Sequence, residues 1–180
     1  MFRVASAVVA LSAWFCTLAI AEQHTLTERY ETMGTIEAQV GDTTYSMVVA
    51  YDVARNRPHA EQKAIMGTFL TINLLGHVVA QDGTPDRPIL QVTLQKREGN
   101  MSLVSAELLD DLGYGAPLVM GGDGGRGALV SFELEDSVVS GKIEGMFLRL
   151  DGYAPNRSIA AGTTPIPATI EWDVTLPPLQ

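Results

Sequence analysis

From Ile166 to Leu176 every second residue is apolar: Ile166, Ala168, Ile170, Trp172, Val174 and Leu176, with Pro167, Thr169, Glu171, Asp173 and Thr175 between them. A period of two buries one face of a strand and wets the other, which a helix of 3.6 residues per turn cannot do. Gly127 to Leu150 carries the same signal. Ala128, Val130, Phe132 and Leu134 alternate, Glu135-Asp136-Ser137 interrupts, and Val138 to Leu150 resumes, so the segment reads as an antiparallel hairpin that takes Ile166–Leu176 as its partner. Trp172 falls on the inward face and counts as core.

Upstream the pattern recurs. Thr35 to Val40 alternates, Gly41-Asp42 supplies a turn, and Tyr45, Met47 and Val49 share a face in the next strand. Glu22 to Met33 reads as a polar lead-in, and Asp52 to Gln62 as a charged connection without an apolar stripe to bury. Ile65 to Val79 is apolar at nearly every position from Phe69 to Leu75. Its β-branched residues favour a strand covered on both faces, with Gly67 and Gly76 marking a bulge or a close approach of backbone. Leu90, Val92 and Leu94 point inward in the strand that follows. Met101 to Leu112 fits either a strand or a strand running into a short helix from Ser105 to Leu112, capped by Gly113. Gly113 to Gly127 holds seven glycines in fifteen residues and reads as an irregular loop, as does Asp151 to Pro165. Pro177-Pro178 ends the last strand.

Nothing alternates with helices as βαβ units would, and no repeat or domain boundary stands out. The expected fold is all-β: a single antiparallel β-sandwich over residues 22–180, of about eight or nine strands with at most one short helix, or alternatively a small β-barrel.

The N-terminus predicts a compartment. Arg3 is followed by an uncharged run from Val4 to Ala21 that ends in Ala19-Ile20-Ala21, the small-residue pattern of a secretory signal cleaved after Ala21. Cys16 lies inside that run, so residues 22–180 contain no thiol. An exported domain that dispenses with disulfides points to a bacterial envelope, periplasmic or secreted, where the sequons at Asn100 and Asn156 carry no glycan. Removing Arg3 with the leader leaves 11 basic against 21 acidic residues, a net of −10. That sign repels phosphate backbones and anionic lipid, which argues against nucleic-acid and polybasic membrane partners.

Constellations that carry chemistry are sparse. His24, His59 and His77 lack the short spacings of a zinc site, and no Gly-x-Ser-x-Gly elbow occurs. Glu133 and Glu135 share an outward face and supply the carboxylates for a hydrolase, the last-ranked reading. Gly121 to Leu129 has the outline of a calcium-binding nonapeptide, but Arg126 stands where an aspartate is needed. Asp123 with Asp110 or Asp111 is the remaining calcium set, and no cofactor is expected. Surface recognition is left. Loops cluster at the ends of β-domains, so Tyr114, Asp123 and Arg126 from residues 113–127 and Tyr153, Asn156 and Arg157 from residues 151–165 form the expected binding patch. The expected function is a non-enzymatic binding or structural component of the envelope that contacts a protein or glycan through those loops. The alternative is a barrel carrying an apolar ligand such as a lipid beside Phe69–Leu75.

Overall fold

The computed structural model describes residues 25–65, 69–122, 124–152 and 155–179. The leader with its cleavage site, His24, Gly67, Asp123 and Tyr153 lie outside the described residues. Twelve strands follow in order: β1 Tyr30–Val40, β2 Thr43–Asp52, β3 Arg57–Pro58, β4 Ala60–Ile65, β5 Phe69–Val79, β6 Pro85–Arg97, β7 Asn100–Leu109, β8 Leu118–Gly121, β9 Gly127–Glu135, β10 Val138–Asp151, β11 Ser158–Ile159 and β12 Ile166–Thr175. The described helical content is two three-residue 3-10 turns, Val53–Arg55 and Gly113–Gly115.

All strand pairs are antiparallel, and the sheet curls round on itself. Neighbours run β2-β1-β12-β10-β8-β7-β6-β5, and β5 returns to β2 through His77 opposite Val48 and Gly76 opposite Val49. Eight strands thus close a barrel, so of the two all-β architectures the barrel forms and the two-sheet sandwich does not. Closure removes the edges that an open sheet would leave at β2 and β5. It is tight at Gly76, where a Cβ would meet Ile36 Cδ1 at 3.1 Å and Met47 Cβ at 3.2 Å.

Alternation delivers the core. Ile36, Ala38 and Val40 of β1, Met47 and Val49 of β2, Ile72 and Leu74 of β5, and Leu90, Val92 and Leu94 of β6 all point into the barrel. Ile143 and Phe147 of β10 lie beside Ala168, Ile170, Trp172 and Val174 of the neighbouring β12 and point into the same interior. Trp172 stands opposite Gly141, whose missing side chain leaves room for the indole: a Cβ there would lie 2.4 Å from the ring. The interior is filled with side chains as small barrels are.

Several elements depart from the sequence reading. β1 starts at Tyr30, inside the expected lead-in, and bulges between Thr32 and Gly34, where a Cβ on Gly34 would lie 2.1 Å from the Asp173 carbonyl oxygen. The charged connection after Asp52 holds β3 and β4. Only Ala60 of β4 is buried, so this edge strand shows no alternation to detect. β5 is buried on its inner face at Ile72 and Leu74, while Thr71, Asn73 and Leu75 on the outer face are half-covered. Residues 105–109 continue β7 as strand instead of turning helical. The expected glycine-rich loop contains β8, whose Leu118, Val119 and Met120 are buried and close the barrel between β7 and β10.

Phe147 is fully buried at the barrel centre. Phe147→Ala is expected to cost about 3–5 kcal/mol of unfolding free energy, measured by urea denaturation, because the closed wall cannot collapse into the void.

Candidate interaction surface

The two loops expected to share an end of the domain do meet. Gly152 N donates to Gly115 O at 3.0 Å and Leu150 N to Pro117 O at 2.9 Å. Arg149 staples them: its guanidinium donates to both carboxylate oxygens of Asp110, at 3.0 and 2.5 Å, and to Ala116 O at 2.6 Å. Burial raises the Asp110 pKa, but hydrogen bonds from Arg149 and from the Leu112 amide outweigh it and hold the carboxyl below its ordinary range. Asp110 is therefore engaged as an ion-pair partner, and Asp111 is exposed beside it. Among the described residues no three His, Cys, Asp or Glu side chains are grouped to hold a metal ion.

The other predicted contact residues are divided. Tyr114 is 55% exposed and stacks under the Arg87 guanidinium, 5.6 Å from its ring centroid. Asn156 is exposed, while Arg157 is half-buried and bonded to Glu107 at 3.0 Å. Arg126 lies apart from them. It borders a shallow outer groove of about 560 Å³ with Gln39, Glu144, Met146 and Pro167.

The glycines before Arg126 have a structural task. β8 and β9 lie end to end along one edge of β10, with Leu118 and Val119 opposite Arg149 and Leu148, and Gly127 opposite Gly145. The residues between them are an excursion from one continuous strand line. Gly125 N donates to Val119 O at 2.7 Å, Gly124 N to Gly121 O at 3.0 Å, and Met146 N to Arg126 O at 2.7 Å. A Cβ on Gly125 would lie 1.7 Å from the Met146 carbonyl oxygen and one on Gly124 2.4 Å from that of Val119. These glycines allow backbone to lie on backbone.

Beyond this excursion the wall opens. β8 pairs with β7 only at residues 105–108, and β9 pairs with β10 alone, so Asn100–Val104 of β7 and the whole of β9 present edges with no partner strand among the described residues. β9 touches β7 at its start, where a Cβ on Gly127 would lie 2.7 Å from Leu103 Cδ2, and then diverges. The gap is a cleft of about 500 Å³ lined by Leu70, Met101, Leu129, Phe132, Leu134 and Lys96. Ala128, Val130, Phe132 and Leu134 do not form the buried face their alternation predicts. A bulge between Lys142 and Ile143 of β10 skips Val130, which is 55% exposed, and Leu134 is 38% exposed, while Leu129 and Phe132 turn toward the core. The missed signal is a bulge, which leaves no residue-type signature in β9.

His59 and His77 lie at the closing seam, with ring centroids 4.7 Å apart and planes tilted by 43°. His59 joins both sides: its N–H donates to Ala50 O and its carbonyl accepts from Leu75 N, each at 2.8 Å. Nδ1 of His59 and both ring nitrogens of His77 have no hydrogen-bond partner of good geometry among the described residues. Burial lowers the His77 pKa to about 4, the neighbouring His59 adding to the effect and Asp86 opposing it. His59 is lowered by burial and by Arg57, against Asp52.

Comparison with protein-family models, with curated proteins and with solved structures finds no match to this chain.

Two predictions follow from this geometry. Because the folded pKa of His77 lies below that of the unfolded chain, the unfolded state binds the proton first. Stability is full above pH 6.5 and falls as pH drops toward about 4, by on the order of 3 kcal/mol. Urea unfolding across that range is expected to show a shallower acid slope in His77→Leu than in the wild type. Gly125→Ala is expected to lose at least about 2 kcal/mol in the same assay, because the Cβ has no space beside Met146 O.

Proposed function

We propose that this chain is an exported, non-enzymatic binding or structural protein of the bacterial cell envelope that contacts a protein partner along β9 and the cleft beside it. The observation that carries the reading is the edge of β9, unpaired among the described residues, with Val130 and Leu134 exposed on it, next to a cleft of mixed lining that includes Met101, Leu129 and Phe132. A strand edge offers backbone donors and acceptors in a row, the chemistry by which one polypeptide recognises another in extended form. Export is supported by the uncharged run after Arg3 and by the absence of thiols from residues 22–180. The filled interior supports contact on the outside of the barrel over carriage of a ligand within it. Of the loop residues expected to bind, Arg126 belongs to this surface, since it leads directly into β9. Arg149, Asp110, Arg157 and Glu107 are taken up in holding the other end together.

A photo-activated amino acid placed at Val130 in cells is expected to give a cross-linked protein adduct, while the same group at Val53, 45% exposed on a 3-10 turn, gives none. A folded, exported chain with no adduct at Val130 would overturn the proposal.

A further inference from the structure

We infer that the His59–His77 contact is an acid-sensitive latch: protonation of the pair opens the barrel locally, between β2 and β5, while the rest of the wall stays paired. The seam is a thin join. β1 meets β2 over ten residue pairs and β5 meets β6 over ten, whereas β2 meets β5 only through Val48–His77 and Val49–Gly76. The other two-pair join, β8 with β10, is continued by β9 along the same edge. His59 adds one backbone bond to each side of the seam, donating to Ala50 O and accepting from Leu75 N. Both imidazoles therefore belong to residues that make the join. The latch does not involve β9.

A proton taken up here is poorly accommodated while the seam is closed. His77 is 7% exposed, its ring centroid lies 4.7 Å from that of His59, and neither of its nitrogens has a well-placed acceptor among the described residues. A charge on it is thus desolvated and faces a second titratable ring. The surrounding charges do little to offset this. Arg57 of β3 acts on His59 as a like charge, and Asp52 of β2 is engaged by Arg29 and by the Arg55 amide. Glu61 of β4 is taken up by Lys63 and Asn73. Asp86 of β6 favours a charged His77, but burial and His59 together outweigh it. Opening returns both rings to water, so the open form binds protons first and acid shifts the balance toward it. β4 and β6 stay with β5, and β1 with β2, because those ladders are longer. What opening uncovers is the edges of β2 and β5 and, behind them, the buried Met47 and Val49.

Amide hydrogen exchange of the chain, expressed with its leader and purified after export, tests this by NMR at about pH 7.5 and about pH 4.5, with each rate compared with its intrinsic value at that pH. The amides of His59 and Leu75 are expected to lose protection about tenfold or more in acid, and those of Ile170 and Trp172, in β12 between β1 and β10, to change much less. His77→Leu is expected to remove the acid loss at Leu75, where a merely structural defect would lower protection equally at both pH values. His59→Leu is expected to reduce it. A seam equally protected at both pH values overturns the inference, as does a loss of the same factor at Ile170 and Trp172, which is global acid unfolding. So does an acid loss kept in full by both variants. If His77→Leu does not fold, the ring Cε1–H shifts of His59 and His77 in the wild type supply the check: rings that protonate with no loss of protection at Leu75 overturn the latch.

Discussion

The seam between β2 and β5 is the constraint on which the architecture depends, because without it the molecule is an open sheet with an exposed apolar face. Only two residue pairs span it directly, Val48 with His77 and Val49 with Gly76. Beyond them β3 pairs with β2 and β4 with β5, and His59 between the two short strands bonds to both sides. The chain thus closes its barrel with a wedge. The cost is that the buried His77 and the half-buried His59 carry ring nitrogens without hydrogen-bond partners, which favours their neutral forms.

A second departure from regularity lies between β8 and β9. One strand line along β10 is broken by a glycine excursion that folds back onto Val119 and Met146. Before the break the strand joins β7 and completes the wall; after it, the strand pairs with β10 alone and leaves two edges unpaired among the described residues. Open backbone at a strand edge is a liability that many proteins cover and a feature that suits contact with another chain. The barrel supplies a rigid frame, and its incomplete end is where the proposed contact falls.

Charged side chains at the opposite end serve cohesion. Arg149 with Asp110, Arg157 with Glu107, and Arg29 with the buried Asp52 each tie a loop to the wall. Donation from Arg29 holds the Asp52 carboxyl below its usual range. Residue types that suggest recognition in a linear reading, arginine and aspartate in glycine-rich loops, are here mostly satisfied by one another. Spacing along the chain cannot reveal this, since Asp110 and Arg149 are 39 residues apart.

The strands with both neighbours in place were legible from alternation alone: Ile36 to Val40, Leu90 to Leu94 and Ala168 to Val174 are buried at every second position, because a barrel wall has one dry face. Elements lacking that asymmetry were not legible: β4 as an edge, β8 as four residues among glycines, and β9 where a bulge turns its apolar residues outward. By itself the sequence determined an all-β antiparallel chain, its core residues and a hairpin partnered by the last strand, since side-chain period is a local property. Closure into a barrel, the histidine pair at its seam and the open edge of β9 were decided only by tertiary structure, because each depends on which distant backbone lies alongside and which does not.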